Sequence, residues 1–199
     1  MLVFSINTSD LATNLLKLPN FKKGQFKLKQ FADGEWYARV TSGVKGNRTA
    51  IIGNTTAPAD NIVKLTLLVN ALRHADARSI DLIIPYFGYQ KQDTVVEPGE
   101  AVSAEAMAVL LRAIKPDRLI CNALHSGVTR RLLKSKLTEI TPEKLLASEI
   151  KKLKLRNMVV ASPDKGSLKR DLLLANELGE IPTICAEKRE LSPRSVLSI

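Results

Sequence analysis

Short β-rich runs alternate with segments of helical period along this chain, and that alternation limits the fold it can adopt. Strand-like runs fall at Leu2–Ile6, Gln25–Gln30, Tyr37–Thr41, Thr49–Gly53, Ser79–Pro85, Arg118–Asn122, Asn157–Ala161 and Pro182–Ala186. Between them, Asp60–His74 repeats Ile62, Leu65, Leu68, Val69 and Leu72 at helical spacing. Ser103–Ile114 is rich in Ala and Leu, and Leu168–Leu178 is a helical pattern closed by Gly179. Thr141-Pro142-Glu143 has the order N-cap, first-turn proline, first-turn acid. Strands that alternate with helices predict an α/β fold built on a parallel sheet. The polar stretch Ser135–Thr141 reads as a junction, so a first domain is expected over 1–140 and a smaller second one over 141–199.

The 199 residues suffice for a sizeable core, and 45% hydrophobic with 25% charged residues is ordinary for a globular protein. Cys121 and Cys185 lie in apolar runs, without disulfide or zinc spacing, which predicts a reduced, cytoplasmic protein. The apolar start is too short for a signal peptide, and no run reaches the roughly 20 apolar residues of a membrane span.

The net charge is +10, and much of it lies between Val128 and Arg156, with a second cluster from Lys17 to Lys29. Such clusters can mark nucleic-acid binding. With aromatics at only 5% and no nucleic-acid motif, a solvated helix face is favoured over a nucleic-acid partner. A positive field also suits small phosphorylated substrates.

Tyr86-Phe87-Gly88-Tyr89-Gln90-Lys91-Gln92-Asp93 carries the strongest functional signal. It follows an apolar strand, at the sheet edge where open α/β folds bind ligands. Aromatics, a glycine, amides, a lysine and a carboxylate suit a loop that stacks on a base and grips phosphate. An ordinary turn with buried tyrosines fits the composition equally well. Three other segments have the same double reading. Phe31, Asp33, Gly34 and Glu35 are a turn whose acid pair can hold an adenine amino group, or a hairpin turn with solvated acids. His125 follows the strand Leu119–Asn122 and is a metal or phosphate ligand, or a helix-start histidine. Ser162-Pro163-Asp164-Lys165-Gly166-Ser167 precedes a helix, where free amides favour anions; it is also a plain turn capped by Ser167.

Taken in order, these segments resemble ribose-phosphate pyrophosphokinases. The family patterns are Phe-Ser-Asp-Gly-Glu beside Phe31–Glu35, Tyr-Phe-Gly-Tyr-Ala-Arg-Gln-Asp beside Tyr86–Asp93, Asp-Leu-His-Ser ending at Ser126, and Ser-Pro-Asp-x-Gly beside Ser162–Gly166. The resemblance spans nearly the whole chain. It implies a phosphoribosyltransferase-like parallel-sheet domain followed by an incomplete second domain of the same type. It implies transfer of pyrophosphate from Mg-ATP to ribose 5-phosphate, with Mg2+ as cofactor and a homo-oligomer, dimer or hexamer, as the assembly. By the same resemblance Phe31, Asp33, Gly34, Glu35, Lys91, Gln92 and Asp93 bind ATP. His125 and Asp164 serve the metal, and Lys188 and Arg189 stabilise the transferred group.

The chain departs from the family at several positions. Lys91 stands where the family has arginine and lacks its bidentate fork. Ala123 stands where the family places an aspartate two residues before the histidine. The family's later Thr-Gly-Gly-Thr sugar-phosphate loop has no equivalent here. The expectation is a ribose-phosphate diphosphokinase-like protein without this loop; the alternative is a non-catalytic, nucleotide-binding subunit or a truncated fragment.

Overall fold

The computed structural model describes residues 1–7, 9–125, 127–133 and 136–186. In chain order the elements are β1 (Leu2–Ser5), α1 (Ser9–Leu16), β2 (Lys22–Lys23), β3 (Phe26–Gln30), β4 (Trp36–Val40), β5 (Arg48–Ile52), α2 (Asn61–His74) and β6 (Ser79–Ile84). There follow α3 (Ser103–Ala113), β7 (Arg118–Asn122), α4 (Gly127–Leu133), β8 (Leu137–Ile140), α5 (Glu143–Lys152), β9 (Val160–Ser162), α6 (Leu168–Glu177) and β10 (Thr183–Cys185). The chain divides into two compact units, Met1–Ile140 and Thr141–Ile199.

The first unit is an α/β domain on a six-stranded sheet of order β2-β1-β5-β6-β7-β8. Every neighbouring pair is parallel. Parallel strands need both faces covered, and their sequences show it as continuous apolar runs. Val3 and Ile52 pack with Ala12 of α1. The alternate residues Phe4 and Ile51, with Leu82 and Ile84, join Leu65, Leu68 and Leu72 of α2 and Leu111 of α3. These leucines are fully buried, and each contributes about 1.5–3 kcal/mol by leaving water.

The chain between β1 and β5 runs out of this sheet. The strands β3 and β4 pair with each other, antiparallel, in a separate hairpin from Phe26↔Val40 to Gln30↔Trp36. Trp36 ties the hairpin to α2, donating Nε1–H to Asp60 Oδ2 at 2.7 Å while Lys64 Nζ lies 4.1 Å from the ring centroid.

Three expectations change. The stretch Ser135–Thr141 is not a plain junction, since Leu137–Ile140 is the edge strand β8, paired with β7. Its period-2 pattern is hidden because the inward-facing Glu139 is a carboxylate paired with Arg130. The strand expected at Asn157–Ala161 covers only Val160–Ser162, since Asn157 sits at φ 56, a left-handed turn conformation. Helix α5 begins at Glu143 with no side-chain cap at Pro142, and the Pro142 carbonyl accepts the Leu146 N–H at 2.8 Å. Helices α1 and α4, of eight and seven residues, are too short for a periodicity reading.

The second unit holds β9 and β10 as a two-stranded parallel pair, with α5 packed against α6 and with Ala147 and Ala175 buried. Gly179, at φ +106, closes α6.

Cys121 sits inside β7 in the core. Burial, with the Glu139 carboxylate adding to it, pushes its thiol up to about 12 from an ordinary 9.0. The unfolded chain therefore loses this proton first, and stability falls as pH rises through the window from 9.0 to about 12. At pH 8 the buried thiolate fraction is about one part in ten thousand. In a Cys185→Ser variant, a disulfide-exchange reagent such as DTNB is expected to leave Cys121 unlabelled at pH 8 until denaturant is added. Rapid labelling of the native protein would show that Cys121 is not packed as described.

Candidate functional site

In open α/β sheets ligands collect outside the carboxyl ends of the strands. At this edge the loops after β1, β5, β6 and β7 are joined laterally, each by a side chain that accepts a backbone N–H of a neighbour. Asn7 Oδ1 accepts the Asn54 N–H at 2.9 Å, and Asn54 Oδ1 accepts the Tyr86 N–H at 3.0 Å. Thr55 Oγ1 accepts the Gly88 N–H at 2.8 Å. Gln90 Oε1 accepts the His125 N–H at 2.7 Å, and Glu139 Oε1 accepts the Leu124 N–H at 3.0 Å. Arg130 completes the last link, donating to Glu139 and, at 3.2 Å, to the Leu124 carbonyl.

The loop after β6 is thus held from below. Phe87 is fully buried in the core, whereas Tyr86 and Tyr89 stand about half exposed at its rim. Gly88 lies so close to the preceding loop that a Cβ there would be 2.5 Å from the Thr55 carbonyl oxygen. Three non-glycine residues at this edge have positive φ: Asn7 at 55°, Tyr89 at 62° and Ala123 at 41°. Such conformations persist where the surroundings impose them, and they concentrate at functional sites.

Lys91 and Gln92 are exposed and Asp93 half-buried. Gln92 has a structural duty as well, since its side-chain oxygen accepts the Ser103 hydroxyl at 2.5 Å and its carbonyl accepts the Ala104 N–H at 3.1 Å, fixing the start of α3. Farther along, Glu100 accepts the N–H groups of Val96 and Glu97, which holds its carboxyl below the usual range. His125 is exposed at the rim, its backbone fixed to Gln90.

The turn Phe31–Glu35 crowns the hairpin. The Phe31 N–H meets the Glu35 carbonyl at 2.8 Å, Asp33 Oδ1 accepts the Glu35 N–H at 3.0 Å, and Gly34 adopts φ +92. Phe31 packs edge-on to Tyr37 at 5.9 Å, with Lys29 Nζ 4.7 Å from its ring centroid. The contacts of this turn run to its own hairpin, while its acids and half of Phe31 face solvent.

In the second unit, Asp164 is exposed in the turn before α6. Its Oδ1 accepts the Ser167 N–H at 2.8 Å. The plain-turn reading has Ser167 cap the helix; its side chain makes no cap hydrogen bond, and its hydroxyl lies 2.7 Å from Ser162 Oγ. Lys188 and Arg189 lie outside the described residues.

Among the described residues no three His, Cys, Asp or Glu side chains converge on a metal position. Asp164 offers an exposed carboxylate, the oxygen donor type that suits magnesium.

The sequence profile of the N-terminal domain of ribose phosphate pyrophosphokinase matches residues 1–114. The chain belongs to the ribose-phosphate pyrophosphokinase family. It is 30% identical over 188 residues to the ribose-phosphate pyrophosphokinase of Gloeobacter violaceus, covering 94% of this chain and 57% of that protein. It is 32% identical over 201 residues to that of Mycoplasma genitalium, covering 99% and 60%. The crystal structure of phosphoribosylpyrophosphate synthetase from Mycobacterium smegmatis superposes with a TM-score of 0.85 at 26% identity, over 95% of this chain and 64% of that one. The chain thus spans about three fifths of the length of these two curated relatives.

Within this pyrophosphokinase scaffold, tertiary structure brings the Tyr86–Asp93 loop and His125 together. Sequence reading missed the residues that do so, Asn7, Asn54, Thr55, Gln90 and Glu139. Two of them leave a trace in sequence: Glu139 is an isolated acid in a basic stretch, and Gln90 stands where the family pattern has alanine. Gly88→Ala is expected to lower stability by about 2 kcal/mol, because the added methyl must displace the backbone of the β5 loop. Chemical denaturation measures this; a cost below a few tenths of a kcal/mol would contradict the close approach.

Proposed function

We propose that this chain serves ribose-phosphate diphosphokinase chemistry, with Mg-ATP bound at the carboxyl edge of the first unit. The observation that carries this reading is the coupling of the Tyr86–Asp93 loop to His125 through Gln90, in a chain of this family. Lys91, Gln92 and Asp93 would grip the nucleotide, with Lys91 a point charge toward phosphate. Phe31, Asp33, Gly34 and Glu35 would receive an adenine, the ring by stacking and the acids through its amino group. His125 and Asp164 would face the metal-bound phosphates, Asp164 through its carboxylate. Magnesium, when bound, neutralises charge on the β- and γ-phosphates.

In the reaction, the C1 hydroxyl of ribose 5-phosphate attacks the β-phosphorus of ATP. The bond from that phosphorus to the α-bridging oxygen breaks, AMP leaves, and the hydroxyl proton is released. Such transfer needs positioned cations more than covalent chemistry, and Lys188 and Arg189 are the residues proposed to supply them. Self-association and a cytoplasmic setting belong to the same proposal. Among the described residues no helix is long and apolar enough to cross a membrane.

A second reading is a nucleotide-binding subunit without turnover. Ala123 carries no carboxylate beside His125, and the Gln92 oxygen is committed to Ser103. The two readings separate in one experiment. Phosphorus NMR of the protein with Mg-ATP and ribose 5-phosphate is expected to show the pyrophosphorylated sugar and AMP above a Lys188→Ala control. Nucleotide binding without product would select the second reading. Lys91→Arg, which restores a bidentate fork, is expected to tighten Mg-ATP binding by roughly threefold to tenfold in calorimetry. Unchanged affinity would remove Lys91 from the phosphate grip.

A further inference from the structure

We propose that Gln90 is the positioning residue that sets His125, accepting the backbone N–H that a carboxylate at position 123 would otherwise take. The inference rests on the nucleotide-site reading only for its functional consequence. The geometry stands by itself.

Three successive N–H groups in the loop after β7 are each held by a different partner. Ala123 donates to the Ile140 carbonyl at 3.0 Å, Leu124 to Glu139 Oε1 at 3.0 Å, and His125 to Gln90 Oε1 at 2.7 Å. The first two come from β8, the neighbouring strand. The third comes from the loop after β6, 35 residues away in sequence. Gln90 is only 8% exposed. A buried amide is costly unless its polar atoms are paired, so this bond determines where the side chain can lie.

Position 123 is an alanine, whose side chain offers this loop no hydrogen-bond acceptor. An aspartate side chain commonly accepts the N–H two residues onward, the Asx turn, and from position 123 that N–H belongs to His125. Ala123 has φ +41, a conformation that aspartate tolerates better than alanine. Alanine at 123 cannot supply the acceptor, and Gln90 does. The bond has a consequence, because Gln90 immediately precedes Lys91 and so ties His125 directly to the loop proposed to grip nucleotide.

The test is backbone amide exchange by NMR on the whole chain, with Leu124 as internal reference, together with calorimetry of Mg-ATP. Gln90→Met keeps the volume and removes the acceptor. His125 is expected to exchange about tenfold faster in that variant, the loss of one hydrogen bond, while Leu124 stays as it was. Adding Ala123→Asp is expected to return His125 to within about threefold of the parent, with Mg-ATP affinity falling and recovering in parallel. Gln90→Glu keeps an oxygen at the same reach and is expected to retain both fold and protection. The proposal is overturned if His125 exchange is unchanged in Gln90→Met, if Leu124 accelerates equally, or if Ala123→Asp restores nothing. If the parent protein binds no Mg-ATP, the nucleotide-site reading fails, and the exchange pattern still decides whether Gln90 sets His125.

Discussion

The carboxyl edge of the parallel sheet depends on side chains that reach sideways to the next loop. A strand end leaves backbone donors without a ladder partner, and buried donors need one. Asn7, Asn54, Thr55, Gln90 and Glu139 each supply an acceptor to a loop other than their own or to the loop preceding their strand. The result is one connected rim. The backbone of His125 takes its position from this rim. Three non-glycine residues held at positive φ along this rim show how far the network dictates local conformation.

Charge inside the first unit follows the same rule. Asp81 is nearly buried in the central strand β6 and is met by the Arg118 guanidinium, Nε at 3.0 Å, with Arg48 at 3.8 Å. Glu139 is met by Arg130, and Asp60 by Lys64 at 3.2 Å and by the Trp36 indole. Buried carboxylates are tolerated only with such partners. Part of the strong positive charge is therefore counter-charge to these carboxylates. Arg130, which a composition reading assigns to a solvated helix face, is a strut between α4, β8 and the His125 loop.

Much of the architecture was legible in the chain. The apolar runs at Leu2–Ser5, Arg48–Ile52, Ser79–Ile84 and Arg118–Asn122 all became parallel strands, because burial on both faces leaves a signature that needs no alignment. The helices α2, α3 and α6 were legible through their apolar period. The edge strand β8 was not, because one of its two inward positions, Glu139, is a paired acid and the outward Ile140 is apolar. At the site, the Tyr86–Asp93 loop and His125 could be named from sequence, and their sharing of one rim could not. Gln92 looked like a ligand-binding amide, and its oxygen turns out to hold the start of α3.

The sequence by itself determined which segments bury and which carry chemistry, since hydrophobic period and residue type are local properties. Only the tertiary structure decided how those segments meet. Bonds such as Gln90 to His125, 35 residues apart, or Asn7 to Asn54, 47 apart, depend on strand order and register. Those are set by the packing of the whole sheet, which no local window of sequence contains.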